Sequence, residues 1–117
     1  GLRLRFHTVG DDYVTEFTPS PHHQGFDGIV HGGILATLLD EVMARNLWER
    51  SLPAVTAELR VSLHSPAYVG QPLRVVGRII QVKGRLFLCE ARIEREDGTR
   101  VASAEGKFLR VKESSPG

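Results

Sequence analysis

His31-Gly32-Gly33-Ile34-Leu35-Ala36-Thr37-Leu38-Leu39-Asp40-Glu41-Val42-Met43 begins with two glycines and settles at once into helical spacing, its apolar residues gathering on one arc. The pattern predicts a helix from Gly33 to about Arg50, charged at its end by Arg45, Glu49 and Arg50 and stopped by Pro53. A helix advances about 100° per residue, so with Ile34 at zero, Leu35, Leu38, Leu39 and Val42 lie between roughly 40° and 140° and face the core. The two adjacent acids then separate. Glu41 falls near about 340°, with Thr37 a turn before it and Arg45 and Glu49 beyond, an i,i+4 ladder on the solvated side. Asp40 falls near about 240°, among Ala36, Met43, Ala44 and Leu47, none of which offers a charge. Aspartate competes for backbone groups inside a helix, so local propensity does not account for it. Two readings remain: a polar boundary of the helix or a salt bridge to another segment on the one hand, and on the other a carboxylate whose pKa is raised by burial until it serves as a base.

At the front of this helix no Ser, Thr, Asp or Asn stands in the capping place. Gly32 and Gly33 lack Cβ atoms, so a ligand can approach the first N–H groups at the end whose dipole favours negative charge. Two glycines also suit a simple bend from loop into helix.

Outward from the helix the periodicity changes to two. Leu2, Leu4 and Phe6, then Tyr13, Thr15 and Phe17 after Asp11-Asp12, predict a hairpin, followed by an aperiodic loop from Pro19 to Gly28. Val55, Ala57, Leu59, Val61 and Leu63 alternate with Thr56, Glu58, Arg60, Ser62 and His64, predicting a half-buried strand closed by Pro66, with Thr56 on its polar face. Gly70-Gln71-Pro72, Lys83-Gly84 and Asp97-Gly98 punctuate three more strands, Leu73 to Val82, Leu86 to Arg95 and Val101 to Val111. Ala102, Ala104 and Gly106 give the last one a face of small residues that something bulky can approach. One helix among about six hairpin-linked strands is an α+β arrangement, an antiparallel sheet covering a central helix. So small a core leaves apolar surface exposed, and a symmetric dimer is expected on burial grounds.

The chain has 117 residues, 41% of them hydrophobic and 25% charged, which makes one globular domain, expected over 1–111 with a flexible tail at 112–117. Fifteen Lys and Arg against fourteen Asp and Glu leave a net charge of +1, too balanced for a nucleic-acid footprint. No apolar run is long enough to cross a bilayer, so no membrane partner is expected, and the alternating N-terminus is unlike a signal peptide, which points to the cytoplasm. Cys89 stands alone in Leu86-Phe87-Leu88-Cys89, a buried, inert thiol.

The run from His31 to Asp40 closely resembles the signature of hotdog-fold acyl-CoA thioesterases, in which His-Gly-Gly is followed by an acid nine places after the His. Gln24-Gly25, Thr56, Pro66 and Gly84-Arg85 agree in order, and the likeness is nearest the branch of the mammalian mitochondrial enzymes. It implies a hotdog fold, a sheet of five to six strands curled around one helix, with sites built where two subunits pair and a dimer of dimers as the larger assembly. It further implies that Asp40 is the catalytic carboxylate, Thr56 places the water, the Gly33 N–H polarises the thioester carbonyl and Gln24 contacts the carbonyl or orients the water. His31 would support the turn and, with Gly32, the bound substrate, while Lys83 and Arg85 on either side of Gly84 suit either the phosphates of coenzyme A or a solvated hairpin tip. No cofactor and no metal are called for. Asp40 suits either of two routes: general base toward water, or nucleophile forming a mixed anhydride. Ser65 stands before Pro66 where many relatives carry Arg, which removes that contact to coenzyme A.

Other chemistries fit less well. His22, His23, His31 and Asp27 cluster without a metal-ligand spacing, and hotdog hydratases pair an Asp with a His five residues on, whereas Asp27 and His31 are four apart. A non-catalytic acyl-CoA-binding or sensor domain is the alternative, although a pure binder gains nothing from an acid beside a thioester. Phe26, Trp48, Tyr68, Phe87 and Phe108 are either pocket walls or core.

Overall fold

The helix α1 runs from Gly32 to Glu49 in the computed structural model, which describes residues 4–111. Its buried arc holds Leu35, Leu38, Leu39, Val42, Met43 and Leu47, and also Asn46, whose Oδ1 accepts from the Arg50 guanidinium at 2.8 Å. Arg50 caps the end, and Ser51, at φ 61°, turns the chain toward the sheet. Leu2 and Arg3 of the expected first strand, and the expected tail at 112–117, lie outside the described residues.

Strands β1 (Phe6–Val9), β2 (Asp12–Phe17), β5 (Ala54–Leu63), β6 (Leu73–Lys83), β7 (Leu86–Arg95) and β8 (Arg100–Arg110) form one antiparallel sheet in the order β1-β2-β6-β7-β8-β5. The hairpin at the start and the four later strands fall where alternation placed them. The stretch from Pro19 to Gly28 is more ordered than a loop. Pro21–His23 makes a turn of 3-10 helix, and β3 (Gln24–Phe26) pairs with β4 (Ile29–Val30) as a second, two-stranded sheet. Asp27 at φ 35° and Gly28 at φ 80° make its tight turn, and the Gln24 Oε1 accepts from the Gly28 N–H at 3.0 Å. Strands this short carry no readable period.

The helix lies close on the sheet because two strand residues have no side chain. A Cβ on Gly77 would meet the Val42 side chain at 3.1 Å, and one on Gly106 would meet Phe108 at 2.7 Å and Met43 at 3.1 Å. The bulky group that the small face of β8 admits is therefore the helix itself together with the Phe108 ring. The pairing shifts at three places in this sheet, between Thr56 and Glu58, between Ile79 and Gln81 and between Ile93 and Glu94, irregularities of the kind that bend a sheet.

This packing predicts that Gly106→Ala, although small, forces Phe108 or Met43 aside and costs about 1–3 kcal/mol. The measurement is the urea midpoint of unfolding, expected to fall without change in the slope.

Candidate active site

Asp40 is half-buried on the flank of α1 that faces the edge strand β5, and its Oδ1 accepts a hydrogen bond of 2.8 Å from the Thr56 hydroxyl. The neighbouring Glu41 is engaged elsewhere, with the Arg45 Nε at 3.3 Å, so the two acids differ as their positions on the wheel predict. Within one chain the carboxylate is more open than the burial expected of it, since Thr56 and the edge of β5 beside it face solvent.

Strict alternation puts Thr56 on the outer face with Glu58 and Arg60, and the bulge corrects that expectation. Ala54 and Thr56 face the helix, Thr56 sitting opposite the buried Phe108. Ala57 is then passed over, so the pairing resumes with Glu58 opposite Lys107, and Leu59 and Val61 take the helix side opposite Gly106 and Ala104. Glu58 and Arg60 point outward, where Glu58 meets the Lys107 Nζ at 3.3 Å. One supernumerary residue thus lets a single strand offer a hydroxyl to the helix at one end and apolar side chains at the other. Val55 is consequently exposed, and so is Leu63 at the far end of the strand.

At the front of α1 a cap exists that the residue type did not announce. His31 is the N-cap, and its Nδ1 accepts the Gly33 N–H at 2.8 Å, which places the ring proton on Nε2. The Ile34 N–H donates to the His31 carbonyl at 3.0 Å. The N–H expected to polarise a carbonyl, that of Gly33, is therefore committed to the imidazole. The Gly32 N–H, one residue earlier, has no acceptor among the described residues. Two glycines frame the ring: a Cβ on Gly33 would stand 3.0 Å from the His31 Nδ1, and one on Gly25 would stand 3.1 Å from its Cδ2. A glycine on each side of a histidine, at positions 25 and 33, is the signal in the sequence that could have revealed this slot.

Gln24, beside Gly25 on β3, uses its carbonyl oxygen on its own hairpin and keeps the carboxamide NH2 as a donor. His23 is occupied in a turn, its Nδ1 accepting from the Ser20 N–H at 3.0 Å. Lys83, Gly84 and Arg85 make the turn between β6 and β7, with Gly84 at φ 62°. They lie at the end of the sheet where α1 terminates, apart from the helix N-terminus. Phe87 and Phe108 are core, whereas Phe26 and Trp48 are exposed. Cys89 is buried and its thiol is pushed up to about 12 by desolvation, which makes it inert near neutral pH.

The chain thus carries a carboxylate hydrogen-bonded by a hydroxyl and, eight helical residues before it, a helix N-terminus with an open N–H, the kinds of group that acyl transfer requires. A family model described as the thioesterase superfamily matches residues 27–102. Acyl-coenzyme A thioesterase 13 of Mus musculus is 30% identical over 70 residues, covering 58% of this chain and 50% of that protein. A crystal structure of a thioesterase superfamily protein superimposes with a TM-score of 0.86 at 30% identity, covering 91% of this chain and 55% of the other. A hypothetical thioesterase of Streptococcus pneumoniae, solved with coenzyme A, shares the fold with a TM-score of 0.88 at 18% identity over 97% of this chain and 89% of its own. This chain spans about half the length of the mouse protein and of the first of these structures. The fold is the hotdog, and the chain belongs to the thioesterase superfamily.

Proposed function

We propose that this chain hydrolyses the thioester of an acyl-CoA to the free acid and coenzyme A, with Asp40 as the reacting carboxylate. The observation that carries the reading is the Thr56–Asp40 hydrogen bond, which draws a helix acid and a strand hydroxyl together on the side of the sheet that holds the open helix N-terminus. The Gly32 N–H, aided by the Gln24 carboxamide, takes the carbonyl oxygen as it becomes negative. Asp40 of the same chain lies eight helical residues away, about 12 Å, so the carboxylate that acts on that carbonyl comes from a second copy. The Gly33 N–H stays with His31, which holds the first turn in shape. Thr56 donates to one carboxylate oxygen and leaves the other to remove a proton from water. The hydroxide attacks the carbonyl carbon, the tetrahedral oxyanion collapses, the C–S bond breaks and the thiolate leaves, taking the proton that Asp40 had accepted. In the nucleophilic variant the same oxygen attacks directly and water opens the anhydride.

Such a site works best when dry. The edge strand β5 supports the expected homodimer: ten residues with one side of their backbone unpaired, and Val55 and Leu63 exposed along it. A second copy laid along that edge would cover Asp40 and Thr56, which places the active sites at the subunit boundary. A dimer of dimers remains the larger form of the same proposal, in the cytoplasm. The second reading, a binding or sensor domain without turnover, shares the fold and differs in leaving Asp40 without a task.

Release of free thiol from acyl-CoAs of graded chain length and from an aromatic acyl-CoA separates the two, and the inert Cys89 adds no background to a thiol reagent. Turnover is expected, and tight binding with no thiol released would favour the sensor. Asp40→Asn is expected to lower kcat by roughly 10²–10⁴-fold, whereas Glu41→Gln is expected to leave it unchanged. Equal losses in both would refute the assignment. Thr56→Val, which keeps the shape and removes the hydroxyl, is expected to reduce kcat by roughly tenfold with little change in KM.

A further inference from the structure

The β3–β4 hairpin carries Gln24 and leads directly into His31 and Gly32, yet strands of three and two residues are too short to stand alone in water. They are steadied by the connection between β5 and β6, whose residues 67–69 lie along the free side of β4. The Val30 N–H donates to the Ala67 carbonyl at 2.8 Å, Ile29 bridges Tyr68, and the Val69 N–H donates to the Gly28 carbonyl at 2.9 Å. The connection is tied at its start, where the His64 and Ser65 N–H groups donate to the Val101 carbonyl, and at its end, where the Gly70 N–H donates to the Pro19 carbonyl. Between these ties it needs a support on the side away from β4.

Arg95, the last residue of β7, supplies it. Its Nε and Nη2 donate to the Pro66 carbonyl at 3.2 and 2.8 Å, and its guanidinium lies 5.4 Å from the centroid of the Tyr68 ring. Proline has no N–H, so a carbonyl is all that its backbone offers, and a cationic fork is a strong partner for it. The root of the side chain is fixed as well, since the Arg95 N–H donates to the Thr99 carbonyl and its carbonyl accepts from the Gly98 N–H, each at 2.9 Å. Arg45, Arg60, Arg78 and Arg92 each meet a carboxylate, but among the described residues Arg95 does not. Asp97, in the following turn, engages the Thr99 N–H at 2.8 Å instead. The guanidinium is therefore given over to a carbonyl and an aromatic ring of one connection.

We infer that Arg95 is a positioning residue for the carbonyl-binding end of the site: through Pro66 and residues 67–69 it fixes β4, and with β4 the Gly32 N–H and the Gln24 carboxamide. The inference rests on the hydrolase reading above and adds to it a residue that acts through others. The route is short. Pro66 and Ala67 are neighbours, and successive carbonyls of an extended segment point to opposite sides, so the first turns to Arg95 and the second to Val30. Val30 stands two residues before Gly32. The His31 N–H then reaches back to the His23 carbonyl at 2.8 Å, which closes the frame around Gln24. Donors displaced by a fraction of an ångström meet an oxyanion poorly, and the oxyanion exists only near the transition state, so loss of the clamp falls on kcat rather than on KM.

Hydrogen exchange at single amides reads the clamp without any turnover. In Arg95→Ala it is expected to quicken roughly tenfold at Val30 and Val69 and to stay unchanged at Leu38 and Leu39 inside the helix. The same variant is expected to lose roughly 10–100-fold in kcat for acyl-CoA with KM nearly unchanged. Guanidinium ion, added well below denaturing concentrations, should restore both in Arg95→Ala and leave the wild type as it was. Arg95→Lys, with a point charge in place of the fork, should show the same changes at smaller amplitude. Arg74→Ala, on an exposed residue of β6, is the control for loss of a surface charge and should change neither. Exchange quickened equally in the helix, a loss in KM instead of kcat, or changes that guanidinium does not reverse would overturn the assignment. Quickened and reversible exchange at Val30 in a protein that hydrolyses no thioester would keep the clamp and overturn the hydrolase. A hydrolase whose Arg95→Ala variant exchanges and turns over like the wild type would do the reverse.

Discussion

A carboxylate on a helix can meet a hydroxyl on a sheet only if the two elements lie nearer than ordinary side chains allow. Here that approach depends on Gly77 and Gly106, which leave room for Val42 and for Met43 with the Phe108 ring. Once the helix is seated, its position is over-determined by Leu38, Leu39, Val42, Met43 and Leu47, all fully buried. Asp40, on the flank of the same helix, inherits that rigidity without being buried itself. The acid is held by the packing of its neighbours, and the 2.8 Å bond from Thr56 then selects which of its oxygens stays free.

The parts of this chain that obey a period were legible from sequence, and the parts that interrupt one were not. The helix and the four long strands announced themselves through spacing, and the wheel separated Asp40 from Glu41 correctly because Arg45 falls one turn from the latter. Thr56 is the instructive case. Its strand alternates apolar and polar residues without a visible break, yet Ala57 is inserted between two paired stretches and reverses the phase of everything before it. A bulge made by an alanine leaves no mark in composition, because the residues around it still alternate. Only the position of Thr56 in a resembling motif pointed inward, and the geometry supplies the reason.

The front of the helix shows a different kind of concealment. Capping is read from short oxygen-bearing side chains, and a histidine is not among them. His31 caps through its ring nitrogen, which requires the imidazole to fold back over the next residue but one. A side chain at position 33 would stand 3.0 Å from that nitrogen, so the second glycine of the pair serves the cap rather than the ligand. The glycine needed for close approach of a carbonyl is then the first. Two adjacent glycines that look interchangeable in the sequence have separate physical duties once the ring is placed.

These duties also fix how much of the proposed chemistry one chain can complete. The N-terminus of the helix concentrates partial positive charge on few atoms, which suits an oxyanion that exists briefly at one point. Asp40 lies eight residues further along the same helix, about 12 Å from Gly32, so the two cannot meet one carbonyl carbon. In the proposed reaction the donor therefore comes from one copy and the carboxylate from another, across the unpaired edge of β5 where Thr56 holds Asp40. Burial of that edge would supply the dry surroundings that a single chain leaves open, so pairing and catalysis would rest on the same contact.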